Sequence, residues 1–323
     1  MKKVLLAFLF VTALILAACG STDDSSSTDD ASASESDSGE NTNEEQGTEE
    51  EASSETITYE AEDGPIEIPS DPQRIVALAN GPNVLALDGN VVGVDEWTYN
   101  NPLMEGKLDG IEVVSDENLE KIIELEPDLI IVGSWMKNID KMKEIAPTIV
   151  STWGSLNYLE QQVEVGKIIN KEQEAKDWVE DFETRAKEAG EEIKAKIGED
   201  ATVSVFENDA KQLYVFGDNW ARGTELLYQT MGLGMPEKVK EKALADGYYT
   251  LSLEVLPKFA GDYVVLSKNP DGDNSFFETE TWNNIPAVEN GQVLELNTKA
   301  ITYSDPITME YLLEEFQKFF LEE

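Results

Sequence analysis

The chain has only three arginines, Arg74, Arg185 and Arg222, and one of them sits where chemistry is plausible. Phe216-Gly217-Asp218-Asn219-Trp220-Ala221-Arg222-Gly223 is a polar, glycine-flanked loop between an apolar run and a helical stretch. A guanidinium in such a loop can donate several hydrogen bonds to oxygen ligands, or pair with one of the chain's many acids. Aromatic residues recur at comparable places. Trp97 follows Val91 to Val94, Trp135 follows Leu129 to Val132, Trp153 follows Thr148 to Ser151, Trp220 follows Leu213 to Phe216, and Tyr303 follows Val293 to Leu296. In open α/β sheets ligands bind beyond the carboxyl ends of strands. Any one of these rings could fold back onto a core. Four of the six tryptophans in this position favour a cleft with flat apolar walls and N–H or O–H handles for a bulky organic ligand.

Catalysis finds little to work with. The chain has no histidine, which excludes histidine triads and histidine metal sites, and its one thiol is Cys19. No phosphate-cradling glycine loop appears, and Gly-x-Gly-x-x-Gly follows no strand. Carboxylates are too numerous for a pair of them to signal anything. The expectation is a binding protein, not an enzyme, with no resident cofactor and no direct metal ligand.

The elements that must position these residues alternate. Arg74 to Leu78 reads as a buried strand, Pro82 to Leu87 as a short helix, Leu119 to Leu125 and Ile139 to Ala146 as helices, and Asn157 to Glu160 opens another with a capping box. Thr56 to Tyr59 and Ile66 to Ile68 form a hairpin. Later, Thr202 to Phe206 and Tyr263 to Leu266 are strands. Thr224 to Met231, Ser252 to Phe259, Trp282 to Val288 and Pro306 to Phe320 are helices. Such alternation predicts mostly parallel sheets covered on both faces.

One passage occurs twice. Leu119-Glu120 to Val132 aligns without a gap on Leu253-Glu254 to Leu266, and in both an Asp eight residues after the Glu precedes a buried strand. Between the copies, Asn170 to Gly198 reads as one helix, with Asn170 as N-cap and Ala175, Trp178, Val179, Phe182, Ala186, Ala189, Ile193 and Ile197 as its apolar stripe. At roughly 40 Å it suits a strut between lobes or an amphipathic helix within one large domain. The repeat favours the strut. The expected fold is α/β, two similar lobes at 57–169 and 199–323 joined by a single long helix at 170–198.

The first residues are something else. Lys2 and Lys3, the apolar run Val4 to Ala18 and Leu16-Ala17-Ala18-Cys19 describe an export signal. The match of that last stretch resembles the lipobox of bacterial lipoproteins and implies a lipid on Cys19. Residues 20–56 are polar and acidic, a disordered tether by composition. Of the net charge of −42, Ser21 to Thr56 carries −13 and the two lysines +2, leaving −31 on residues 57–323. A body so acidic repels nucleic acid and anionic membrane surfaces.

Pro127-Asp128-Leu129-Ile130-Ile131-Val132, Ala146-Pro147-Thr148-Ile149-Val150, Tyr158-Leu159-Glu160-Gln161-Gln162, Gly217 to Gly223 and Tyr303-Ser304-Asp305-Pro306 carry a broader likeness. Over residues 57–323 the chain resembles the ferric-siderophore-binding lipoproteins of bacterial ABC importers, in particular the hydroxamate group that binds ferrichrome and ferrioxamine. The resemblance implies two α/β lobes on one long helix with modest hinge motion, and a lipid-anchored monomer on the extracytoplasmic face of a Gram-positive cell membrane. It implies Trp220 and Arg222 on the hydroxamate oxygens, Tyr214 as a pocket tyrosine and Trp153 as an aromatic from the first lobe. Glu120 and Glu254 match an acidic pair, one per lobe, that docks on arginines of the permease, which works with its ATPase, although a helix dipole also favours an acid in a first turn. Gly133 stands where some relatives have a pocket tyrosine, with Trp135 two residues away, and Thr302 stands where a tryptophan is expected beside Tyr303. A same-fold receptor for a citrate or catecholate siderophore, haem or cobalamin is the alternative.

Overall fold

Runs of β-branched residues lay down the strands, and glycine, proline and capping residues set where the helices begin and end. In the computed structural model, residues 55–209 and 212–322 are described. The signal, Cys19 and nearly all of the tether lie outside them. The order is β1 (Thr56–Ala61), β2 (Gly64–Pro69), β3 (Ile75–Ala77), α1 (Gly81–Ala86), β4 (Val91–Val94), α2 (Glu96–Tyr99), β5 (Glu112–Val113), α3 (Leu119–Glu124), β6 (Leu129–Gly133), α4 (Ile139–Met142), β7 (Thr148–Ser151) and α5 (Tyr158–Ile168). The 26-residue α6 (Glu172–Ile197) follows. Then come β8 (Val203–Asp209), β9 (Gln212–Phe216), a π-helix over Glu225–Thr230, α7 (Glu237–Ala243), β10 (Tyr248–Leu251), β11 (Tyr263–Lys268), α8 (Glu280–Asn283), α9 (Pro286–Glu289), β12 (Val293–Asn297) and α10 (Pro306–Leu321).

The first lobe is an all-parallel sheet ordered β5-β4-β3-β6-β7, and the second is ordered β10-β9-β8-β11-β12. Both sheets bury side chains on both faces. Ile75, Ala77, Leu129 and Ile131 face one core and Val76, Ile130 and Val132 the other, the alternation of a covered strand. Helix α6 roots in both lobes. Ala175 belongs to the first-lobe core, and Phe182, Ala186, Ala189 and Ile193 to the second. Trp178 stacks on Phe182 at 4.9 Å, and its Nε1–H donates to Glu310 of α10 at 2.9 Å. Arg185 grips the same carboxylate with both terminal nitrogens, at 2.9 and 2.6 Å.

Several sequence expectations change. Asn170 does not cap α6, which starts at Glu172 without a side-chain cap. Asn170 instead ends α5, at φ 57°, the left-handed conformation asparagine tolerates, with Lys171 N–H returning to Gly166 O. Pro286 splits the expected 282–288 helix into α8 and α9, because its ring cannot continue a helix. The expected 252–259 helix shrinks to a turn and a 3₁₀ segment, Leu256–Lys258, with Pro257 inside it. Strand β10 is absent from the sequence expectation, and β9 pairs antiparallel with both β8 and β10.

Candidate functional site

Between the lobes lies a cleft of ≈ 700 Å³, within the usual range for small-molecule sites. From the first lobe it is lined by Asn80, Asp95, Trp135, Trp153, Tyr158 and Gln161, and from the second by Trp220, Arg222, Glu225, Gln229, Tyr303 and Asp305. The two lobes meet across it. Trp153 meets Trp220 edge to face, centroids 4.8 Å apart. Tyr303 Oη donates to Asp95 Oδ1 at 3.4 Å, and Tyr158 Oη bonds Thr230 Oγ1 at 2.6 Å. Burial, and then the Asp95 charge, push the Tyr303 phenol well above its ordinary range, so it stays protonated at any physiological pH and keeps its bond to Asp95.

Arg222 is an oriented cation. Its Nε and Nη2 donate to the two oxygens of Glu207 at 2.8 and 3.1 Å, and its Cζ lies 5.1 Å from the Phe216 ring centroid. Glu207, on β8, also accepts from Ser267 Oγ at 2.7 Å. Arg222 therefore pairs with an acid, one of its two sequence readings, and also lines the cleft. The unspent guanidinium hydrogens remain for a ligand, since Nη1 makes only a 3.5 Å contact with Trp220 O. The loop bends hard to achieve this. Ala221 and Arg222 have φ 56°, which costs a non-glycine residue about 1–2 kcal/mol each.

Two glycines seat the indoles, Gly133, which the sequence reading singles out, and Gly247, which it misses. A Cβ on Gly247 would stand 2.4 Å from the Trp220 ring, and one on Gly133 2.4 Å from the Trp135 ring. The side chain absent at 133 thus makes room for the Trp135 indole. A residue at 247 also needs φ 79°, another reason for glycine.

Trp97 and Tyr214, expected in the site, do not line the cleft. The Asp95 carboxylate accepts the Trp97 and Thr98 N–H groups, which turns Thr98 inward and leaves Trp97 67% exposed. Tyr214 stands one ring back: it packs on Tyr248 at 5.8 Å, and Tyr248 packs on Trp220 at 4.9 Å. Nor does Trp220 follow the carboxyl end of a parallel strand. Strand β9 runs against β8, and the left-handed turn brings the loop back over Glu207. Thr302 lines the cleft and donates to Thr298 O at 2.7 Å. Glu120 and Glu254 are exposed and enter no ion pair among the described residues, Glu120 in the first turn of α3 and Glu254 in the turn before Leu256. Glu62 and Asp128, by contrast, spend their carboxylates on backbone N–H groups.

Residues 79–300 match the periplasmic binding protein family. The chain belongs to that family. It is 38% identical over 269 residues to the iron(3+)-hydroxamate-binding protein FhuD of Bacillus subtilis (strain 168), covering 81% of this chain and 85% of the relative. Among solved structures, FhuD2 of Staphylococcus aureus with bound ferrioxamine B superposes with a TM-score of 0.72 at 35% identity, over 76% of this chain and 99% of that one. A periplasmic binding protein component of a ferrichrome ABC transporter from Bacillus subtilis superposes with a TM-score of 0.76 at 36% identity, over 82% and 100%.

Proposed function

We propose that this protein captures a ferric hydroxamate siderophore in the interlobe cleft and delivers it to an ABC permease and its ATPase for iron uptake. The charge inventory of the cleft carries the reading. Among the described residues that line it, Arg222 is the one cation, and it is already paired with Glu207. The other ionisable carboxyls there are Asp95, Glu225 and Asp305. Hydroxamates neutralise the ferric ion they enclose, so their complex brings an uncharged oxygen shell and an apolar backbone. Arg222 has donors for the shell, and Trp153, Trp220, Trp135 and Tyr303 cover the backbone. Citrate and catecholate complexes are anionic and would meet Asp95 and no unpaired cation. The protein need not supply a metal ligand, because the iron arrives already coordinated.

The lipobox at Cys19 supports attachment of the protein to the outer face of the cell membrane by a lipid, with the acidic stretch as tether. The exposed Glu120 and Glu254 suit a docking contact with basic permease residues. Titration of tryptophan fluorescence tests the reading: ferrioxamine B or ferrichrome should quench it saturably, and ferric citrate and a ferric catecholate should not. Quenching by the anionic complexes alone would overturn it.

A further inference from the structure

The loop that carries Arg222 holds three consecutive residues in the left-handed region, Ala221 and Arg222 at φ 56° and Gly223 at φ 81°. Only the glycine adopts it freely. The ties that hold the others are few. Trp220 N–H donates to Thr224 Oγ1 at 3.1 Å, Ala221 N–H to Glu225 Oε1 at 2.9 Å, and Arg222 N–H to Ile301 O at 3.0 Å. Thr224 Oγ1 also lies 2.8 Å from Ala221 O and 3.1 Å from Glu225 Oε2.

These contacts set a proton count. A threonine hydroxyl has one hydrogen, and the shorter contact places it on Ala221 O. The contact with Glu225 Oε2 then needs its hydrogen from the carboxyl itself. Thr224 is fully buried and Glu225 nearly so, and among the described residues no Lys or Arg pairs with Glu225, the Arg222 head being committed to Glu207. Burial pushes the Glu225 carboxyl above the ordinary range, and this outweighs the hydrogen bonds from the Ala221 and Glu225 N–H groups and from Ser304 that pull it down.

We propose that Glu225 is the positioning residue of the cleft: as the neutral acid it accepts from Ala221 N–H through Oε1, donates from Oε2 to Thr224 Oγ1, and so locks the left-handed turn that aims Trp220 and Arg222 at the ligand. Glu207 orients the guanidinium head, and Glu225 fixes the backbone it springs from. The proposal rests on the siderophore reading only for its affinity readout.

Glutamine tests it, because its amide offers the same acceptor and a donor in the same places. In the full-length chain, Glu225→Gln should keep ferrioxamine B affinity within about threefold, whereas Glu225→Ala and Thr224→Val should each weaken it about tenfold or more. A second readout needs no ligand. The exciton-coupled circular dichroism of the Trp153–Trp220 pair should survive in Glu225→Gln and change in the other two. Should Glu225→Ala not fold, Thr224→Val decides in its place. Loss of affinity in Glu225→Gln equal to that of the apolar variants would overturn the proposal, as would wild-type affinity and dichroism in the apolar ones. If the unaltered chain ignores ferrioxamine B, the receptor reading fails, and the ligand-free dichroism still decides the role of Glu225.

Discussion

In both lobes an aspartate closes the sheet at the same place, but only one lobe carries the cation of the cleft. Asp128 accepts the Gln73 and Arg74 N–H groups at 2.7 and 2.9 Å, just before β3. Asp262 accepts Thr202 N–H and Oγ1–H at 2.8 and 2.9 Å, just before β8. The strands that follow pair in matching register, Ile75 with Leu129 and Val203 with Tyr263. The lobes part at the next strand. In the first, β4 lies parallel to β3 after the α1 crossover; in the second, β9 folds straight back on β8 as an antiparallel neighbour. That hairpin frees the loop after Phe216 to curl over Glu207. The repeated unit is scaffold, and the one cation of the cleft among the described residues sits where the copies differ.

The largest expected effect concerns the helix between them. Phe182→Ala should cost about 3–5 kcal/mol of unfolding free energy in urea, because the ring is fully buried in the second-lobe core. Ala175→Gly, at the first-lobe root, should cost only about 1 kcal/mol. Equal losses would mean that α6 belongs to both lobes alike.

Arg222→Ala should weaken ferrioxamine B binding by roughly a hundredfold, since charged hydrogen bonds contribute about 1.5–3 kcal/mol, and it also leaves Glu207 buried without its partner. Trp153→Ala on the facing wall should cost about tenfold by the same titration. A larger loss at Trp153 would move the centre of recognition to the first lobe.

The two aspartate clamps sharpen the likeness. Asp128→Asn and Asp262→Asn should each destabilise by about 1–2 kcal/mol, and a difference of several kcal/mol would break the equivalence.

Alkaline pH should strain both halves together. Tyr59 in the first lobe, through burial and then its bond to Glu164, and Tyr228 in the second, through burial, hold phenols above the ordinary 10.0. The folded state keeps these protons when the unfolded chain would release them. Their contribution is complete below pH 10.0 and is lost as pH rises beyond it. Tyr228→Phe should flatten the fall in a denaturation series above that pH. Smallest of all, Trp97→Ala and Tyr214→Phe should change ferrioxamine B affinity less than about twofold, since neither side chain lines the cleft.

Much of the scaffold could be read from local pattern. Buried runs such as Leu129 to Val132, the capping box at Asn157 and Glu160, and the closing helix from Pro306 lie where their periodicity placed them. The misreadings share a cause. Asn170 suits a helix start as well as a left-handed helix end, and only the packing of α5 on α6 chose between them. Tyr214 and Tyr248 carry the same ring, and the pairing of β9 with β10 decided which one touches Trp220. Nothing in Ala221-Arg222 announces a left-handed turn, because neither residue favours one.

By itself the sequence determined the α/β class, the two-fold use of one supersecondary unit, the absence of histidine chemistry and the small set of rings and guanidinium from which a site could be built. Those follow from residue type and short-range periodicity, which a chain carries along its own length. Tertiary structure decided which rings face the cleft, that Arg222 shares its charge with Glu207, and that Gly133 and Gly247 leave room for indoles. Each of these depends on groups far apart in sequence meeting at one point, and strand direction and close packing, which no local pattern encodes, set that meeting.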